Sequence, residues 1–353
     1  MKNDPKKPSK VAIIGYKLAD GGLERVFANL TNLLDENGVE VHTIVLESKI
    51  SYRFSGKLLV LGNYSKFIKY FKLKSYLNRN KIDTIIDFRY RINPIMEFFF
   101  LHYIFANKHL IYTVHLSKVE DYFTSNKWIA KQILKNKIIA VSRGIQENIE
   151  KKYNCYSSEV IYNSIPKLAH ETCEIPYKFI VSVGRLVQEK QIDKLIDCYS
   201  KSELAQKGFH LVIVGDGPEY NHLNKQINEK QINDFVHLVG YKENPFCFIS
   251  NAHYLVLSSK YEGFPLVLLE ALSIGTPVIS FDCENGPNEI IQNNSNGILV
   301  ENQNFEELIH KMNTFVEDTV LYNKCKENSI ASVMKFQESE ILKQWMKIIN
   351  NGN

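Results

Sequence analysis

The stretch Tyr261-Glu262-Gly263-Phe264-Pro265-Leu266-Val267-Leu268-Leu269-Glu270-Ala271-Leu272 sets two carboxylates eight positions apart in an otherwise uncharged segment. Pro265 suits the first turn of a helix, where its missing N–H is not needed. From Leu266 onward the segment is apolar on nearly every face, which predicts a helix buried all round. Glu270 is the single ionisable group on that helix. A carboxylate in such surroundings costs several kcal/mol unless something hydrogen-bonds it. Eight helical residues rise about 12 Å, close to the separation of the sugar and the ribose in a nucleotide sugar. Between the two carboxylates, the helix N-terminus offers free N–H groups and a positive dipole end to a diphosphate. On spacing alone a plainer reading stays open, a buried Glu paired with an Arg or a Lys.

Four further stretches carry related chemistry. Val183-Gly184-Arg185-Leu186-Val187-Gln188-Glu189-Lys190 provides a guanidinium fork and an ammonium that could neutralise a diphosphate. Val214-Gly215-Asp216-Gly217-Pro218 is a tight turn after an apolar run, and Gly21-Gly22-Leu23-Glu24-Arg25 lets backbone approach a ligand closely. Thr113-Val114-His115 places an imidazole after a strand-like run. Each has an ordinary alternative: a surface ion pair for Arg185, a satisfied core position for His115, a plain turn for the glycines.

Together, in this order, the five stretches resemble the retaining glycosyltransferases of family 4, which have the GT-B fold. Glu262 and Glu270 match the family's E-x7-E motif, and the resemblance spans nearly the whole chain. It implies two Rossmann-like parallel-sheet α/β domains with an interdomain cleft. It implies a nucleotide-sugar donor, with UDP as the base-bearing part, held by Gly21, Gly22, Arg185, Lys190, Gly217, Glu262, Gly263, Phe264, Pro265, Leu266 and Glu270. Glu262 would contact the donor sugar and Glu270 the ribose. Glu262, His115, Arg185 and Lys190 would form the catalytic set. It further implies retention of anomeric configuration, with the departing phosphate taking the acceptor proton. Cys283-Glu284-Asn285-Gly286-Pro287-Asn288-Glu289-Ile290-Ile291 resembles a loop of members that build bacterial surface polysaccharides and lipid-linked glycans, and hints at a galactose- or N-acetylhexosamine-type donor. No Asp-x-Asp pair is present, so neither a metal site nor a cofactor is expected.

Elements must position these groups. In the second half, apolar runs at Phe179–Val183, Leu211–Val214, Val236–Val239, Tyr254–Leu257, Val278–Phe281 and Ile298–Val300 alternate with helix-like segments, the signature of βαβ units. The first half repeats the plan from Val11–Ile14 to Ile138–Val141. A polar stretch with two prolines, Asn163–Pro176, suggests the junction. The expected division is an acceptor-side domain over 1–165, a donor-side domain over 166–335, and a closing helix over 336–353 that packs back on the first domain. The 353 residues exceed what one core usually serves. Six scattered cysteines with no CxxC pair suggest reduced thiols in the cytoplasm.

Charge is divided unevenly. Residues 1–170 hold 27 Lys and Arg against 15 Asp and Glu, and residues 171–353 hold 16 against 24. No nucleic-acid module is recognisable, so the basic half points to an anionic membrane surface or a phosphorylated acceptor. Within it, Lys66, Lys69 and Lys72 share one side of a predicted helix, with Tyr64, Phe67, Ile68 and Phe71 on another, as at a bilayer surface. A solvated face packed normally on the domain is the alternative. Arg89 and Arg91 could bind an acceptor phosphate, or pair locally with Asp87 or Glu97. The expected acceptor is a saccharide on a polyprenyl diphosphate carrier, and the expected place is the inner face of the plasma membrane, held peripherally. Two rival readings remain: a sugar-nucleotide epimerase and a non-catalytic membrane- or glycan-binding module, both on the same fold. A nicotinamide oxidoreductase is disfavoured, since Gly15 opens no G-x-G-x-x-G.

Overall fold

The structure, a computed structural model, describes residues 10–165 and 174–350, the side chains of Lys66 and Phe67 excepted. The chain divides into two compact units, Met1–Ser164 with Glu338–Asn353, and Ile165–Gln337.

The first unit runs β1 (Lys10–Gly15), α1 (Gly22–Asp35), β2 (Glu40–Val45), β3 (Lys57–Val60), α2 (Lys66–Arg79), β4 (Thr84–Asp87), α3 (Pro94–Phe99), β5 (His109–Val114), α4 (Lys127–Ile133), β6 (Lys137–Ala140), α5 (Arg143–Tyr153) and β7 (Glu159–Val160). A wider helical turn, Phe100–Ile104, prolongs α3. All strand pairs are parallel, in the order β3-β2-β1-β4-β5-β6-β7. Helices cover both faces of such a sheet, so its strands read as unbroken apolar runs. Val11, Ile13, Ile86, Ile111 and Ile139 are all fully buried. The order reverses at β1, which pairs with β2 on one side and β4 on the other (Val11 opposite Val41 and Thr84). Crossovers diverge there and leave the carboxyl ends of β1 and β4 open, where ligands of such sheets bind.

The second unit contains β8 (Lys178–Val183), α6 (Ile192–Lys201), β9 (Phe209–Val214), α7 (Tyr220–Glu229), β10 (Val236–Leu238), α8 (Phe246–Asn251), β11 (Leu255–Leu257), α9 (Leu266–Ser273), β12 (Val278–Phe281), α10 (Pro287–Ile290), β13 (Gly297–Val300), α11 (Phe305–Glu317) and α12 (Thr319–Ser332). Its sheet is again parallel, ordered β10-β9-β8-β11-β12-β13, and reverses at β8. The last helix, α13 (Glu338–Asn350), buries Ile341, Trp345, Ile348 and Ile349 in the same cluster as Phe27, Leu30 and Leu34 of α1. Their spacing of three and four places them on one helix face. Removing that face from water is what ties the end of the chain to the first unit.

One expectation, on the cysteines, is corrected, and the two readings of α2 are narrowed. On α2 the core face is made by Leu73 and Leu77, both fully buried, whereas Ile68 and Phe71 are exposed. The apolar stripe read from sequence is therefore not the side that meets the domain. Among the cysteines, Cys155, Cys198, Cys283 and Cys325 are free and buried, but Cys247 is disulfide-bonded, against the expectation of reduced thiols. Among the described residues no helix is long and apolar enough to cross a membrane.

Candidate active site

At the carboxyl end of β8 the chain turns through Gly184 and Arg185 to a short helical turn, Gln188–Lys190. This loop packs against the one after β9, and glycine is required at the contact. A Cβ on Gly215, which has φ +153, would lie 1.8 Å from the Gly184 carbonyl oxygen. One on Gly217 would lie 2.4 Å from that of Leu186. The Leu186 N–H donates to the Asp216 carbonyl at 2.9 Å, and the Glu219 N–H to the Leu186 carbonyl at 3.1 Å. Gly217 thus has a packing reason of its own beside any contact with a ligand.

Across the reversal point, β11 leads into Ser258–Pro265 and then α9. Lys190 Nζ lies 2.6 Å from Glu262 Oε1, joining the two loops that flank the crevice. Ser259 Oγ donates to the same oxygen at 2.6 Å. The Glu262 side chain is 11% exposed and that of Lys190 26%, so the pair is half-sheltered yet reachable. The backbone of Glu262 is fixed by its N–H donating to the Glu284 carbonyl at 3.2 Å. Gly286, at φ +98, lets the loop after β12 press on the turn, since a Cβ there would lie 2.7 Å from Pro265 Cδ. Beside them the Cys283 thiol is pushed up to about 12, chiefly by burial and then by the charge of Glu262.

Pro265 precedes the first residue of α9, and no side chain caps that helix. The Leu268 N–H donates to the Pro265 carbonyl at 3.2 Å, while those of Leu266 and Val267 lie at the dipole's positive end, where an anion is favoured. Leu266 is half-buried, Gly263, Phe264 and Pro265 are buried, and the Phe264 ring meets Phe336 at 5.4 Å. That contact makes Phe264 a support of the turn. Glu270 follows one turn deeper, 3% exposed. Arg185 is exposed and forms no ion pair among the described residues. Asn285, which is not among the site residues expected from sequence, lies on the loop that presses on the turn before α9. Its side chain is 9% exposed, its φ is +63, and Nδ2 has no hydrogen-bond partner in the described structure. The Asn-Gly pair was the available signal, because Asn tolerates the left-handed region.

In the first unit, a Cβ at Gly22 would meet nothing within 4 Å, but one at Gly21, which precedes the first turn of α1, would lie 2.1 Å from Glu24 Oε2. The start of α1 is thus open at Gly22 and covered by the Glu24 carboxylate at Gly21. Phe27 stacks on Phe88 at 5.4 Å and Phe88 on His115 at 4.9 Å, tying α1 to the loops after β4 and β5. His115 lines a recess with Val26, Thr113, Asn163 and Trp345. Its Nε2 has no partner in the described structure. Burial, with Arg91 next, lowers its pKa to about 3, so it is a neutral imidazole at ordinary pH.

Arg89 and Arg91 do not form an anion site on the surface. Arg89 is 3% exposed and grips Asp87 at 2.8 Å and Glu97 at 3.3 Å. Arg91 is fully buried and donates to the carbonyls of Asp87, Arg89 and Thr113 at 3.2, 2.6 and 3.0 Å. Apart from Arg91 Nε, which has no partner in the described structure, the donors that bond do so inside the fold. Of the basic residues on α2, Lys72 is exposed and Lys69 half-buried, while the side chain of Lys66 lies outside the described ones.

The Glycosyltransferase Family 4 model matches residues 20–167, and the Glycosyl transferases group 1 model matches residues 173–332. The N-acetylgalactosamine-N,N'-diacetylbacillosaminyl-diphospho-undecaprenol 4-alpha-N-acetylgalactosaminyltransferase of Campylobacter jejuni is 28% identical over 96% of this chain and 99% of its own length. The poly(ribitol-phosphate) alpha-N-acetylglucosaminyltransferase of Staphylococcus aureus is 33% identical over 49% of this chain and 36% of its length. Among solved structures, HepE of Anabaena in complex with UDP superposes with a TM-score of 0.77 at 18% identity, covering 97% of this chain and all of that one.

Proposed function

The chain belongs to the glycosyltransferases of family 4, with the GT-B fold, and from that premise we propose that it moves a hexose or N-acetylhexosamine from a UDP-sugar to a carrier-linked saccharide, with retention. The observation that carries this reading is the Lys190–Glu262 bridge across the reversal point of the second sheet, beside the uncapped start of α9. Without ligand, the two charges neutralise each other. A diphosphate arriving at α9 would take Lys190, with Arg185 as a second cation, and leave Glu262 to accept from sugar hydroxyls. Asn285 Nδ2 stands on the loop against the same turn and would donate to the sugar. Glu270, one turn deeper, would hold the ribose.

In the transfer step the bond from the anomeric carbon to the β-phosphate oxygen breaks, and its electron pair stays on the diphosphate. The acceptor oxygen bonds to the same face of that carbon, and its proton passes to the departing phosphate. Fixed cations and N–H groups stabilise the charge that develops without having to reorganise. His115, neutral, would hydrogen-bond a sugar hydroxyl from the first unit. Gly22 keeps its side of the start of α1 approachable, while Gly21 makes room for the Glu24 carboxylate. The C. jejuni relative, named as acting on a diphospho-undecaprenol-linked saccharide, supports a carrier-linked acceptor. That acceptor would bring the basic first unit, with Lys66, Lys69 and Lys72, to the anionic inner face of the membrane.

Incubation with a panel of nucleotide sugars tests the reading. Slow release of UDP from one UDP-sugar is expected, and it should persist in excess EDTA because Arg185 and Lys190 do the work of a metal. An epimerised sugar nucleotide, or a panel in which nothing binds, would overturn it. Activity abolished by EDTA and restored by Mn²⁺ would overturn its metal-independent part.

A further inference from the structure

On α3 the usual polarity of a surface helix is inverted. Its carboxylate, Glu97, is 2% exposed and held by Arg89, whereas Ile95 and Phe98 are 79% and 47% exposed. The buried ion pair anchors the helix with its apolar side outward. That side is continued by its neighbours. The Phe98 ring lies 6.1 Å from Trp128 on α4, and Phe99 stacks at 5.0 Å on Tyr103, itself 6.1 Å from Phe71 on α2. Ile68, Phe71, Ile92 and Trp128 are each more than half exposed. A connected aromatic and aliphatic face of this kind marks an interaction surface.

Charge indicates what covers it. Helix α2 carries five basic residues and α4 two, Lys127 and Lys131, and the only carboxylate on α2, α3 or α4 is the buried Glu97. Lys72 lies 4.2 Å from the Tyr64 ring and Lys74 3.2 Å from that of Tyr103, so ammonium groups rim the apolar face. Protein interfaces are depleted in lysine. At a lipid surface the same mixture is favourable, because lysine stems lie along apolar surface while their heads reach the headgroups. Both α3 and α4 begin after the carboxyl ends of β4 and β5, the edge of the sheet that carries His115.

We propose that α2, α3 and α4 insert into one leaflet of an anionic bilayer, with Ile95, Phe98 and Trp128 at the acyl boundary and Lys72, Lys74 and Lys131 among the headgroups. This rests on the carrier-linked acceptor argued above and replaces adsorption by charge with insertion. The chain has two tryptophans, Trp128 and the buried Trp345, so fluorescence can read the contact directly. The probe is a vesicle of phosphatidylcholine and phosphatidylglycerol in equal parts, with brominated acyl chains.

Wild-type emission should be quenched, and Trp128→Phe should remove most of that quenching. Ile95→Ser with Phe98→Ser should lower vesicle partitioning about tenfold or more, with UDP affinity unchanged as evidence that the protein is folded. Salt should weaken binding without abolishing it. Vesicle binding that salt releases completely, with no quenching, overturns insertion and leaves charge-driven docking standing. Wild-type protein that ignores vesicles but forms a dimer broken by the Ile95 and Phe98 changes overturns it too, and makes the face a contact between copies. Loss of UDP binding by the wild type would be a failure of the transferase reading, which vesicle data alone do not touch.

Discussion

Lys190 and Glu262 neutralise each other in the ligand-free site, and that changes what removing either should do. Glu262→Ala frees Lys190 for the diphosphate, so UDP affinity should hold or rise. By contrast kcat should fall about a hundredfold, because a contact to the sugar is lost where charge develops. Glu270→Ala should weaken UDP about tenfold with a smaller effect on kcat, since ribose contacts change little along the reaction. Calorimetry with UDP beside steady-state kinetics separates the two, and equal loss of UDP affinity in both variants would sink the division of roles. His115 makes a second prediction. Its folded pKa of about 3, set by burial and then Arg91, lies below the unfolded value of about 6.5. The unfolded chain therefore binds this proton first, and the stability present above pH 6.5 is lost as pH falls towards 3. The slope is at most about 1.4 kcal/mol per pH unit. His115→Phe, which keeps the stack on Phe88, should lose about 2 kcal/mol less than wild type between pH 7 and pH 5 in denaturant titrations. Equal losses would mean that the imidazole is not held neutral.

At the scale of elements, the Asp87–Arg89–Glu97 cluster joins β4 to α3. Burial works against the Arg89 charge, but Asp87 and Glu97 outweigh it, and the guanidinium pKa is raised. Glu97 moves the other way from the carboxylate norm: its pKa is raised, first by burial. Removing one member leaves the others charged and uncompensated in the interior. Arg89→Ala should cost about 3–5 kcal/mol of stability in chemical denaturation, with UDP affinity of the folded fraction unchanged. A loss under 1 kcal/mol would show that water reaches the cluster. The sequence offered this local pairing as one of two readings of Arg89. What it could not supply was burial, because an Arg two residues beyond a strand reads equally well as a surface anion site.

Across the whole molecule, the first half of the sequence is basic and the second acidic, and the proposed membrane contact draws on the first. Lys66→Glu, Lys69→Glu and Lys72→Glu together should reduce sedimentation with anionic vesicles, each residue contributing on the order of 1 kcal/mol at low salt. UDP calorimetry on the triple variant should match wild type, since the donor residues proposed lie in the other unit. Undiminished sedimentation would remove these lysines from the membrane contact.

By itself the sequence determined the two parallel sheets and the stretches that carry chemistry. Unbroken runs such as Val11–Ile14 and Val278–Phe281 are short, rich in β-branched residues and alternate with helix-like segments, which together favour buried strands over buried helix. Motifs such as Glu262 to Glu270 are local, so their spacing is visible without a fold. The tertiary structure alone decided which side of α2 is the core, where Leu73 and Leu77 are buried and Phe71 is not. It also decided that Arg89 and Arg91 are interior, that Lys190 and Glu262 meet, and that Asn285 stands beside them. Each of these depends on contacts between residues far apart in the chain, as with the 72 positions between Lys190 and Glu262. Periodicity reports that a helix has an apolar side; only the neighbours packed around it determine whether that side is buried or left outward.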